Sequence, residues 1–177
     1  MERPGRHSRP TWSRAIATTP QSSIPDETRQ QVEQLAQDLL ARYGVARPPV
    51  PVERMVTEPS LGLWDAKPTE LSFTVGHGLY RYAPRMAQAR LLYRAICDSD
   101  TARQHGLRVP WPASRHEIKY FARCLLMPEA WVRALSEPER NPDRLSERFQ
   151  VPPFDAVTRL AELGLPIPDE AVPGLDA

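Results

Sequence analysis

The sequence is poor in lysine and cysteine, and it has no long apolar run. Only Lys67 and Lys119 are lysines, so arginine carries almost all of the positive charge, and the formal net charge is +1. Such a balance shows no global basic excess that would indicate nucleic acid as a partner. The two cysteines, Cys97 and Cys124, are too few for a disulfide framework, which favours a reducing cytoplasm.

No apolar segment approaches the roughly 20 residues of a membrane helix, so no membrane association is expected. The first 20 residues contain four arginines without an apolar block behind them, which argues against a secretory signal peptide. Residues 1–24 are rich in Arg, Pro, Ser and Thr and are predicted to be a disordered basic arm. Residues 166–177 are Pro-rich and acidic and are predicted to be a loose tail.

Residues 25–165 carry the patterns of one folded domain. Pro25 opens a segment whose apolar residues recur every three or four positions up to Tyr43, and Gly44 is placed to end that helix. The same period predicts a helix from about residue 84 to residue 102 and another from Ser114. Two short helices are expected in a C-terminal segment, residues 139–165.

Between the first two long helices the apolar period changes to two. Leu61 and Leu63 alternate with other residues, and so do Leu71, Phe73 and Val75. The turn Gly76-His77-Gly78 would join two strands, 71–75 and 79–82, into a hairpin. Together these patterns predict an α+β fold in which helices pack around a small antiparallel sheet.

The most specific stretch of the sequence is the run Glu117-Ile118-Lys119-Tyr120-Phe121-Ala122-Arg123-Cys124-Leu125-Leu126-Met127-Pro128. It resembles the helix that carries the third zinc ligand in metallopeptidases of the ImmA/IrrE family. Residues 145–151 and 157–165 resemble the closing segment of that family, and the opening helix, the Pro-Val-Pro-Val turn and the hairpin follow in its order. The resemblance covers roughly residues 26–165 and implies the zincin-like ImmA/IrrE arrangement.

The chain lacks the His-Glu-x-x-His motif that this family uses. In the motif, two histidines on one helical face hold zinc, and the glutamate acts as general base on the zinc-bound water. The helix in that place reads Ala89-Arg90-Leu91-Leu92-Tyr93-Arg94-Ala95-Ile96-Cys97-Asp98 and contains no histidine. Glu117 matches the third ligand, but it also completes a Ser-x-x-Glu capping box with Ser114. We interpret Glu117 as a cap or as a relic of the ligand, and no cofactor is expected.

Three histidines define an alternative zinc site, in which His77, His105 or His116 would act with Glu117. His77 loosely echoes the first histidine of the family motif, although glycine and arginine stand where the base and the second histidine should be. Adjacent positions such as 116 and 117 point in different directions on a helix. The Gly-His-Gly context of His77 suits a hairpin turn, and we interpret His105 and His116 as surface histidines near helix ends.

The short helices around residues 145–149 and 154–163 have a connection short enough for a helix-turn-helix. Outward positions of the second helix are expected to be Asp155, Thr158, Arg159 and Glu162. Two acids among four such positions do not suit a groove lined by phosphates, so we interpret the pair as a packing element. Cys97 and Cys124 are expected on two facing helices as buried small apolar residues.

The resemblance implies a partner class, since members of the family cleave Xre-type repressors of stress or mobile-element genes. The leading hypothesis is a bacterial pseudoenzyme in the cytoplasm that binds a protein such as an Xre-type repressor. Residues of its former substrate groove would be Tyr93, Arg94, Cys97 and Tyr120. The second hypothesis is a zinc-dependent endopeptidase with an atypical metal site that cleaves a repressor. The third is a DNA-associated regulator that uses the basic arm and the C-terminal helices.

Overall fold

A computed structural model of the chain describes residues 24–64, 81–100 and 113–168. Its helices, in chain order, are α1 (Asp26–Arg42), α2 (Val52–Thr57), α3 (Ala83–Asp98), α4 (Arg115–Leu126), α5 (Glu129–Arg133), α6 (Pro142–Phe149) and α7 (Pro153–Glu162). Two 3-10 turns, Ser60–Gly62 and Glu137–Arg140, stand before α3 and α6 respectively. The predicted arm up to residue 23 and the predicted tail from residue 169 lie outside the described residues.

The predicted α+β fold is wrong for the part of the chain that the structure describes, which is helical and contains no β-strand. Leu61 and Leu63, which alternate as strand residues do, belong to the 3-10 turn and to the residue after it. Gly62 turns the backbone there with a φ of 65°, and Leu63 is fully buried. Alternation over so few positions does not separate a strand from a tight turn. The predicted hairpin lies outside the described residues except for 81 and 82, which form a turn before α3.

The opening helix α1 confirms the predicted period. Its inward residues are Val32, Leu35, Ala36, Leu39 and Leu40. Gly44 follows the helix with a φ of 64°, a left-handed conformation that glycine adopts without steric cost. The hydroxyl of Tyr43 donates to the carbonyl of Glu58 at 2.6 Å and accepts the backbone N–H of Ser60 at 2.9 Å. These bonds tie the end of α1 to the segment after α2.

Helix α4 lies at the centre of the described core, where it packs against α3 and α1 and also contacts α7. Most of its side chains are buried, including Phe121, Cys124 and Leu125. The ring of Tyr93 on α3 stacks on the ring of Phe121, with centroids 4.6 Å apart. Such offset aromatic pairs add to the stabilisation that comes from buried apolar area.

The C-terminal pair α6 and α7 packs together and is held to the core through α7. Gln150 ends α6 with a φ of 55°, and the chain then turns directly into α7 at Pro152. The buried hydroxyl of Ser146 donates to the carbonyl of Val151 at 2.6 Å, so the tight connection leaves that acceptor satisfied. This connection fixes which side of α7 faces α4.

Candidate functional site

Charged and polar side chains from three helices meet between α1, α4 and α7. We call this group the buried ion cluster; its members are Glu33 on α1, Tyr120 and Arg123 on α4, and Asp155, Arg159 and Glu162 on α7. Burying several charges is costly unless each finds a partner, so the pairing within the cluster decides what the site can do.

Arg159 is the centre of the cluster, and its exposed fraction is 0%. One terminal nitrogen, Nη2, donates to Oε1 of Glu33 at 2.7 Å, and Nε donates to the carbonyl of Met127 at 3.1 Å. The hydroxyl of Tyr120 donates to the same Oε1 of Glu33 at 3.0 Å. The guanidinium also lies 5.7 Å from the centroid of the Tyr120 ring. One carboxylate of α1 thus holds one residue of α4 and one of α7.

The other half of the cluster is built around Arg123. Its Nε donates to both carboxylate oxygens of Glu162 at 3.1 Å, its Nη2 donates to Oε1 of Glu162, and its Nη1 lies 3.5 Å from Oδ1 of Asp155. Fork-shaped contacts of this kind are the strong form of the arginine–carboxylate pair. Two arginines and three carboxylates therefore pair with one another. These ion pairs hold α1, α4 and α7 together.

The expectation that Asp155, Arg159 and Glu162 point outward is wrong. Asp155 is 7% exposed, Arg159 is fully buried, and the side chain of Glu162 is largely covered. The reason is that α1 and α4 supply partners of opposite charge, Glu33 and Arg123, at the face where α7 packs. A helix read in isolation shows charged positions but does not show that another helix will pair with them.

Glu117 lies where the resemblance assigns the third zinc ligand, and its side chain is engaged. The N–H of Glu117 donates to Oγ of Ser114 at 3.1 Å, and the N–H of Ser114 donates to Oε2 of Glu117 at 3.2 Å. This reciprocal pair confirms the predicted capping box. The neighbouring His116 is exposed while Glu117 is buried, so the structure does not bring the two side chains together.

The other two histidines of the alternative zinc site, His77 and His105, lie outside the described residues. Among the residues that the structure does describe, no three His, Cys, Asp or Glu side chains are grouped as ligands of a metal ion. None of the helices described here combines the length and the apolar character that a membrane crossing requires.

The predicted partner groove is for the most part closed. Tyr93, Cys97 and Tyr120 are buried in the core, and only Arg94 among the four groove residues is exposed. The three buried side chains belong to the contact between α3 and α4 or, for Tyr120, to the buried ion cluster. Of the four predicted groove residues, only Arg94 therefore lies on the surface.

Cys97 and Cys124 are buried cysteines on two helices that pack against each other, as the sequence predicts. Burial raises the pKa of the Cys97 thiol to about 12 and raises the pKa of the Cys124 thiol well above its usual value. Both thiols are therefore protonated at neutral pH, and a protonated thiol is a poor nucleophile.

Phe154 is a surface residue that the sequence patterns did not single out. Among the described residues it is the one large apolar side chain that is exposed, with 77% of its surface open to solvent. It lies in the first turn of α7, directly before buried Asp155. The signal available in the sequence was a phenylalanine at an expected helix start, which by itself indicates a core residue as readily as a surface one.

Comparison of the chain with protein-family models, with curated proteins and with solved structures finds no match. No relative therefore supplies a function by likeness, and the resemblance of residues 26–165 to the ImmA/IrrE family stays a hypothesis.

Proposed function

We propose that this chain is a protein-binding regulatory protein without peptidase chemistry of its own. The observation that carries the proposal is the composition of α3, the helix that the resemblance equates with the zinc helix of the active family. Its inward side chains are Met86, Ala89, Leu92, Tyr93, Ile96 and Cys97, and all of them are packed in the core. A helix whose inner face is filled in this way serves packing, and it offers no imidazole to a metal.

The state of Glu117 supports the same proposal. Its carboxylate caps α4 by accepting the N–H of Ser114, so a role as metal ligand would compete with the cap. Loss of an N-terminal cap typically costs about 1 kcal/mol of stability. Retention of a glutamate at position 117 is therefore explained by the stability of α4 alone.

The partner class comes from the resemblance. Proteins of the ImmA/IrrE family act on Xre-type repressors, and a related chain without the catalytic motif can keep the recognition while losing the cleavage. Exposed Phe154 supports a binding role, because aromatic side chains dominate the binding energy of many protein interfaces. We place the complex in the bacterial cytoplasm, a reducing compartment that suits a chain with only two cysteines.

The test combines binding, cleavage and metal content. The purified, untagged chain is mixed with a purified Xre-type repressor from the same genome, in the presence of zinc, and analysed by gel filtration and by electrophoresis. We expect a stable complex with an intact repressor, and less than about a tenth of an equivalent of zinc in the chain by elemental analysis.

Glu117→Ala and Ser114→Ala form a matched pair of variants. Both remove the cap, but only the first removes the carboxylate. We expect neither variant to change the metal content. About one equivalent of zinc, as in a mononuclear site, that is lost in Glu117→Ala and kept in Ser114→Ala would contradict the proposal, and so would cleavage of the repressor that a chelator stops.

A further inference from the structure

We draw no further inference here: the strongest candidate, the half-buried guanidinium of Arg29 on α1, which lies 5.3 Å from the centroid of the Tyr120 ring at the edge of the buried ion cluster, belongs to the site already described, and nothing in the described residues shows what ligand it would meet.

Discussion

Replacing Arg159 by methionine should destabilise the chain strongly, because the change leaves a carboxylate without its cation. Arg159 is fully buried and holds Glu33 at 2.7 Å and the carbonyl of Met127 at 3.1 Å. Methionine fills a similar volume but supplies no donor. Breaking one partner of a buried ion pair typically costs about 3–5 kcal/mol.

The structure places the expected value near the lower end of that range. The side chain of Glu33 is 16% exposed and keeps the hydroxyl of Tyr120 as a donor, so water and Tyr120 replace part of the lost interaction. We expect a loss of about 3 kcal/mol, a large share of the roughly 5–15 kcal/mol that stabilises a typical domain. For a chain of this size the melting temperature should fall by about 6–12 °C.

Urea unfolding followed by circular dichroism measures the change, and a double variant separates its causes. Adding Glu33→Gln to Arg159→Met removes the unpaired charge, so the double variant should be more stable than the sum of the single effects predicts, by about 1–3 kcal/mol. Arg54→Met serves as a control, because the Arg54–Glu58 pair is exposed on both sides and its loss should leave the urea midpoint unchanged. Additive single effects would refute the conclusion that Arg159 is buried and paired. So would a loss of less than about 1 kcal/mol in the free energy of unfolding for Arg159→Met.

Two further predictions concern the cap of α4 and the buried thiols. Ser114→Ala should lower the free energy of unfolding by about 1 kcal/mol, measured in urea, because it opens the reciprocal bonds with Glu117; an unchanged value would show that the capping box is not formed. Burial raises the pKa of Cys97 to about 12, so the unfolded chain loses its thiol protons at lower pH than the folded chain does. Stability should therefore be unaffected below about pH 8 and should fall from about pH 9 upward, as followed by the urea midpoint, and Cys97→Ala should reduce that fall. Rapid reaction of Cys97 with a disulfide reagent in the folded chain at pH 8 would contradict its burial.

Several elements of the fold could be predicted because their causes are local. The helix α1, its end at Gly44 and the Ser114–Glu117 capping box each depend on residues within about one turn of one another, and the structure confirms all three. The strand prediction at Leu61 and Leu63 was wrong because two alternating residues fit a 3-10 turn equally well. Tyr93 and Cys97 were predicted to line a groove, but both are buried. The sequence did not separate the two cases, because tyrosine and cysteine fit a packed core as well as a cleft.

What the sequence by itself determined is mainly local: the main helices, the end of α1 at Gly44 and the capping box of α4. It also predicted the burial of the two cysteines. Only the tertiary structure decided that Asp155 and Arg159 lie inside while Phe154 lies outside. Arg159 is buried because Glu33, a residue 126 positions away in the chain, meets it with a carboxylate. Whether a charge can be buried depends on the partner that another helix brings to it, and no pattern within α7 contains that partner.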